Sequence, residues 1–177
     1  MRLRLVVLLW CLLGVASAAS ADPTIRVQTT LHDGEVRVSF DVADGVSESV
    51  RAAIQSGLPT TFAYDLSLQE SSAWWFDRTI AYARVSAVVR YDNLTRRYQV
   101  TFIEDGRVEE VRTTEDESTA LQWTTAFHGR RLSSHRLVRD GEYHVRVRAQ
   151  TRPRLLAWAW PWNPGALLGS VSFRFRP

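Results

Sequence analysis

Polar and apolar residues alternate with a period of two at the start of the chain. Apolar residues occupy every second position from Val36 to Val42, and a similar run covers residues 25–30. Asp33-Gly34 lies between the two runs. Alternation indicates a strand with one buried face, and Asp-Gly is typical of a tight hairpin turn. The pattern therefore predicts a β-hairpin here.

Strand-like patterns recur in seven further segments along the chain, and several of them alternate in the same way. Turn residues such as Asp105-Gly106 and Asp140-Gly141 separate several of them, and the most regular segment runs from Tyr143 to Thr151. Such short runs, bounded by turns, indicate strands. The further predicted strands are residues 60–68, 80–91, 96–103, 107–112, 132–137, 143–151 and 171–175.

Two segments break the alternation and have the features of short helices. In Ser47–Gly57, the serine is a suitable N-cap and the glycine a suitable stop. Thr114 with Glu117 has the spacing of a capping box. This second helix is predicted to run to about Phe127, with Gly129 ending it.

Many short strands with two short helices define the predicted fold class. The chain is predicted to be mostly β, an antiparallel β-sandwich of the Ig-like or a related kind, with two short helices. No internal repeat, linker or low-complexity stretch divides it. Residues 22–177 are therefore predicted to form a single β-rich domain, long enough to bury a core.

The first residues have the pattern of an export signal. Arg2 and Arg4 precede an apolar run from Leu5 to Ala19, and Ala19-Ser20-Ala21 forms an A-x-A cleavage site. The apolar run is shorter than the ~20 residues of a membrane-spanning helix. We predict that residues 1–21 are a cleaved signal peptide and that the protein is periplasmic or secreted. The alternative is an uncleaved N-terminal anchor.

Cleavage would change both the cysteine content and the net charge. The single cysteine, Cys11, lies in the leader, so the mature chain would have no disulfide, thiolate nucleophile or cysteine metal site. The formal charge of +3 includes Arg2 and Arg4. The mature charge is therefore close to neutral, which argues against a nucleic-acid partner.

No motif predicts catalysis or metal binding. The four histidines lack metal-ligand spacing, and Ser133-Ser134-His135 is only an adjacency without a nucleophile motif around it. We therefore expect no metal, no cofactor and no enzymatic activity. The carboxylates around the predicted second helix fit a structural role beside the helix dipole. They are Glu104, Asp105, Glu109, Glu110, Glu115, Asp116 and Glu117.

Tryptophans cluster in two places. Trp74 and Trp75 are adjacent, and Trp158, Trp160 and Trp162 alternate in a Pro-containing stretch. Because tryptophan suits interfaces, these five residues are the candidate binding residues. The alternative is that the rings fill or cover the core. Both interpretations stay open at this point.

Arginines recur at polar positions of the predicted strands. If several of these strands are neighbours, their side chains form a basic stripe for an anionic lipid, a glycan or an acidic partner. The alternative is a solvated face with acids interspersed. The residues are Arg37, Arg84, Arg90, Arg97, Arg146, Arg148, Arg174 and Arg176.

Three segments resemble a known bacterial family. They are the run from Leu58 to Phe62, Trp74–Asp77, and Val89–Tyr98, which contains a Tyr-x-Asn-x-Thr-Arg-x-Tyr element. Together they are similar to the exported proteins grouped as domain of unknown function 4390. The resemblance implies export, and the genes of such proteins often lie beside the gene of a membrane histidine kinase, which implies a role in envelope signalling. It implies no catalytic residues.

These observations predict an exported, non-catalytic β domain that binds a protein or another envelope component. The expected partner is an envelope protein or a membrane-associated partner. The alternative is a cell-envelope enzyme whose carboxylates converge only in the fold. An enzyme predicts a pocket with clustered, perturbed ionisable groups, whereas a binding module predicts an exposed apolar or cationic patch.

Overall fold

Antiparallel strands make up most of the part of the chain that the structure covers. The structure is a computed structural model and describes residues 23–32, 35–71, 77–132, 137, 140–153 and 167–175, with only the backbone of 32 and 151–153. In these residues the elements are β1 (Thr24–His32), β2 (Glu35–Ala43), α1 (Glu48–Gln55), β3 (Thr60–Glu70), β4 (Arg78–Asp92), β5 (Arg97–Glu104), β6 (Arg107–Thr114), α2 (Glu117–Thr125), β7 (Ala126–Leu132), β8 (Glu142–Pro153) and β9 (Leu167–Arg174).

The strands form two antiparallel sheets. One has three strands in the order β1-β2-β7, and the other has six in the order β6-β5-β4-β3-β8-β9. Strand β1 pairs with β2 from Thr24↔Ala43 to His32↔Glu35, as the predicted hairpin requires. The predicted mostly β, antiparallel sandwich with two short helices is confirmed.

The core lies between the facing sides of the two sheets. Alternate residues of β2, β3, β4, β5 and β8 are buried, as the period-two pattern predicts. At its centre, Phe40, Tyr64 and Phe127 are in mutual ring contact, with centroids 4.8–5.1 Å apart. The Tyr64 hydroxyl donates a 2.7 Å hydrogen bond to the carbonyl of Thr124 at the end of α2. Burial, together with the carboxylate of Asp41, raises the pKa of Tyr64.

The first helix agrees with the prediction. Ser47 is the N-cap of α1, and its hydroxyl accepts a 3.4 Å hydrogen bond from the amide of Val50. Gly57 follows the helix with a φ of 86°, a conformation that favours glycine. Ile54 is the residue that α1 buries.

The second helix differs from the prediction at both ends. Its N-cap is Asp116, whose carboxylate accepts from the amide of Thr119 at 2.7 Å, and not Thr114, which lies in β6. The predicted capping-box partner, Glu117, instead accepts a 2.6 Å hydrogen bond from Arg51 of α1. Its side chain thus links the two helices.

The predicted C-terminal end of this helix was also placed wrongly. The helix ends at Thr125, and Phe127 and Gly129 lie in β7, which pairs with β2. Of the predicted strand 132–137, residues 133–136 lie outside the described residues, and Leu132 is the last residue of β7. Pairing with β2 buries Phe127 against Phe40, and this contact outweighs the local helical pattern.

The unequal sizes of the sheets expose two distinct surfaces. Strands β5 and β6 extend beyond β7, and α2 covers part of their inner side. The outer side of the six-stranded sheet has neither a helix nor a second sheet among the described elements packed on it. Within the described ranges, no helix has the length and apolarity needed to cross a membrane.

Candidate functional site

The tryptophans chosen from the sequence lie outside the described residues. This holds for Trp74, Trp75, Trp158, Trp160 and Trp162 alike. Ser133-Ser134-His135 and the predicted signal peptide, residues 1–21, also lie outside them. The binding role of the tryptophans and the cleavage of the leader therefore stay predictions.

A cluster of arginines lies on the outer side of the six-stranded sheet. Asp65 of β3 is directly opposite Arg84 of β4 on one side and Arg148 of β8 on the other. Arg146 is two residues from Arg148 and so points the same way. Neighbouring strands are about 4.8 Å apart, so the row from Arg148 to Arg84 is only about 10 Å wide. We call the surface defined by Arg84, Arg146 and Arg148 the arginine face.

Asp65 fixes the side chains of Arg84 and Tyr82 on one side of this face through hydrogen bonds. Its Oδ1 accepts a 2.7 Å hydrogen bond from Nε of Arg84 and a 2.5 Å hydrogen bond from the hydroxyl of Tyr82. Partial burial acts to raise the pKa of Asp65, but these bonds and the guanidinium groups of Arg84 and Arg148 outweigh it and lower the pKa. Asp65 therefore remains ionised at neutral pH and directs both donors.

On the other side of the arginine face, Asp65 interacts with Arg148 through its charge alone, without a hydrogen bond. Arg146 and Arg148 are exposed, and neither forms an ion pair or side-chain hydrogen bond with any residue in the described ranges. Asp105 also lies beside Arg84, whose backbone amide donates a 2.9 Å hydrogen bond to Oδ1 of Asp105, so three arginines against two carboxylates leave an excess of one positive charge around this face. A face of this kind attracts anions, most strongly at low ionic strength.

The other arginines of the predicted stripe are distributed elsewhere. Arg37 belongs to the three-stranded sheet, 3.9 Å from Glu35. Arg97 pairs with Glu115 at 2.9 Å, and Arg174 pairs with Glu142. Arg90 is on the outer side of β4, six residues from Arg84, and Arg176 lies outside the described residues. The stripe is thus narrower than the sequence pattern predicts.

Two exposed apolar side chains flank the arginine face. Tyr82 lies in the same cross-strand row as Arg146 and is 52% exposed. Leu168 of β9 is directly opposite Arg148 and is 65% exposed. The face therefore combines cations with an aromatic ring and an aliphatic side chain, although the strand pattern alone predicts only a polar surface.

A histidine beside the arginine face is hydrogen-bonded on both ring nitrogens. Nε2 of His144 is bonded to the hydroxyl of Ser71, and Nδ1 lies 2.6 Å from Oγ of Ser172. A serine–histidine pair is the core of many hydrolytic sites, but there a carboxylate usually orients the ring and stabilises its cation. Here a hydroxyl takes that place, on a flat sheet surface. The arrangement anchors β8 to the end of β3 and to β9.

A groove of about 350 Å³ lies where β5 and β6 extend beyond β7. In it, the guanidinium of Arg112 is 5.0 Å from the Phe102 ring and 5.6 Å from that of Trp123. Glu110 accepts two hydrogen bonds from Arg112, at 2.6 and 2.7 Å. Arg130 is likewise paired, at 3.0 Å, with Glu104. Each cation in the groove thus has its own carboxylate, so the groove attracts anions less than the arginine face does.

Two of the carboxylates that the enzymatic alternative requires, Glu115 and Asp116, line one pocket of about 420 Å³ beside Arg97, but each is held in its own structural contact. Glu104, Glu110 and Glu115 pair with three different arginines, and Asp116 caps α2. Hydrogen bonds from Thr119 and Ser118 lower the pKa of Asp116 to about 2, as expected for a cap. In the described residues, no three His, Cys, Asp or Glu side chains come together as a metal site.

The comparison with protein families agrees with the resemblance noted in the sequence. A family model described as Domain of unknown function (DUF4390) matches residues 23–157. Comparison with curated proteins and with solved structures gives no match. The matched range includes every residue of the arginine face.

Proposed function

Since the chain belongs to the family described as Domain of unknown function (DUF4390), a description that assigns no activity, we propose its function from the geometry of the arginine face. The domain is an exported, non-catalytic binding module that recognises an anionic component of the bacterial envelope. A role in envelope signalling is compatible with this proposal, since an exported binding domain can report its occupancy to a membrane kinase.

One observation carries the proposal. Arg146 and Arg148 are exposed beside Arg84, and Asp65 is the one carboxylate in the row between them. Arginine presents a planar fork of donors that matches phosphate, sulfate and carboxylate groups. Arg146 and Arg148 form no ion pair or side-chain hydrogen bond with a described residue, so a ligand can bind them without first breaking such a contact.

The test is retention on a column of immobilised heparin, a sulfated polysaccharide. We expect Arg146→Glu/Arg148→Glu to elute at clearly lower salt than the wild type, because binding to a polyanion weakens with each lost cation and with salt. The matched control is Arg26→Glu/Arg107→Glu, which changes two exposed arginines on β1 and β6 by the same total charge. Equal elution of the two double variants would show that only net charge matters, and would contradict the proposal.

Export is a separate prediction with its own measurement. The Ala19-Ser20-Ala21 sequence and the charged, apolar leader predict that the mature protein begins at Asp22, or at Ala19 if an upstream bond is cut. Intact mass spectrometry of the protein from a bacterium that expresses the whole chain measures this directly. Full-length protein in the cytoplasmic fraction would contradict it.

A further inference from the structure

We infer that the arginine face docks the domain on the surface of an anionic phospholipid bilayer. The inference rests on the proposed function and names its ligand. The positive excess of Arg84, Arg146 and Arg148 sets the sign of the partner, since an anionic surface is the electrostatic complement of this face.

The shape of the face favours an extended surface over a small molecule. Arg148, Asp65 and Arg84 stand side by side on adjacent strands, and Arg146 lies one pleat away. Side chains on one side of a sheet project roughly in parallel, so their charged ends lie at similar height. The groove at Phe127 lies on another part of the molecule. Cations that stand side by side on one side of a sheet can contact several headgroups at once.

The apolar neighbours favour a bilayer over an anionic polysaccharide. Leu168 and Tyr82 are more than half exposed and flank the arginines on both sides. At a membrane interface a tyrosine ring lies at headgroup depth, and a leucine reaches the boundary of the acyl chains. A sulfated or carboxylated sugar polymer would leave both side chains in water.

The Asp65 contacts prepare Arg84 for this role. Its Nε donates inward to Asp65, so the fork of its two terminal nitrogens is the part of the guanidinium left to face outward. Tyr82 is held through its hydroxyl by the same oxygen, which leaves its ring edge exposed. Less conformational freedom is therefore lost when these two side chains meet the surface.

The experiment measures sedimentation with two kinds of vesicle. One consists of phosphatidylcholine, and the other of equal parts of phosphatidylcholine and phosphatidylglycerol. The protein is purified from a bacterium that expresses the whole chain, and its mass is checked first. We expect binding to the mixed vesicles only. Each basic residue near such a surface contributes about fivefold, so Arg146→Glu/Arg148→Glu should weaken partitioning by at least about 25-fold.

Three variants distinguish this inference from the proposed function. Leu168→Ser keeps every charge, so it should weaken vesicle binding several-fold while its elution from heparin stays unchanged. The control Arg26→Glu/Arg107→Glu should lose much less vesicle binding than the arginine-face double variant. Thermal melts of each variant exclude loss of fold, since all five positions are described as exposed.

Every other outcome of these experiments contradicts either the bilayer inference, the role of the arginines or the proposed function. Heparin retention that depends on Arg146 and Arg148, without any vesicle binding, overturns the bilayer inference and leaves an anionic polymer or acidic protein as the ligand class. Equal binding to both kinds of vesicle overturns the role of the arginines. Binding to neither heparin nor mixed vesicles overturns both the inference and the proposed function.

Discussion

Replacing Phe127 with alanine should lower the free energy of unfolding by about 3–5 kcal/mol, because it empties a large aromatic site in the core. Phe127 is 2% exposed, and its ring lies 5.1 Å from those of Phe40 and Tyr64. It also touches Phe102 of the other sheet, at 6.2 Å. The Phe127 ring thus packs against β2 in its own sheet and against β3 and β5 in the six-stranded sheet. Urea unfolding followed by tryptophan fluorescence measures the loss, with an unchanged slope expected for a two-state transition.

A second phenylalanine provides the control. Phe173 of β9 is half-buried, and its ring stacks on Tyr143 at a centroid distance of 5.8 Å. We expect Phe173→Ala to cost about 1–2 kcal/mol, since less surface returns to water and the smaller void opens to solvent. If Phe127→Ala cost no more than Phe173→Ala, Phe127 would not be at the centre of the packing between the sheets.

Phe127 also shows where prediction from the sequence ends. The local pattern extends the helix past Leu121 to about Phe127, and Gly129 follows as an apparent stop. The structure ends α2 at Thr125, because the next residues pair with β2, more than eighty positions earlier in the chain. A partner so distant leaves no trace in a local pattern. Helix propensity is weak enough for such a contact to override it.

The elements that were predicted well are those whose determinants are local. The hairpin of β1 and β2 needs only alternation and Asp33-Gly34, and α1 needs only Ser47 and Gly57. The strand from Glu142 to Pro153 shows its buried side directly in the sequence. In each case the pattern lies within about twenty residues, so the physical cause can be identified without the fold.

The arginine face required the fold as well as the pattern. The sequence places Arg84, Arg146 and Arg148 at polar positions of their strands. Which strand lies between β4 and β8 depends on the order of the strands in the sheet, which the sequence does not show. Strand β3 lies between β4 and β8, which brings Asp65 next to Arg148, eighty-three positions later. Leu168 reaches the same surface through the pairing of β8 with β9. The sequence shows which residues can contribute to such a surface, but it does not show which of them are neighbours in the fold.

Next to Leu168, Gly169 of β9 lies close to β1 of the other sheet. A Cβ atom on Gly169 would lie 2.7 Å from Cβ of Ile25 and 2.9 Å from Cγ2 of Val27, both in β1. Atoms do not pack at such distances, so one sheet would have to move. We expect Gly169→Ala to lower the free energy of unfolding by about 1–3 kcal/mol, the usual cost of overpacking.

The experiment is informative because Gly169→Ala lowers the free energy of unfolding if the two sheets are in close contact, and raises it if they are not. Gly169 does not have a positive φ, so alanine is compatible with its backbone. Without a clash, replacing glycine there would stabilise the fold by about 0.4–1 kcal/mol, because it restricts the unfolded chain. Ser170→Ala, at the exposed neighbouring position, should stay within about 0.5 kcal/mol of the wild type. Urea unfolding could instead show that Gly169→Ala is at least as stable as the wild type. That result would mean that β1 and β9 are not in close contact, and that other contacts hold the part of the sheet that carries Leu168.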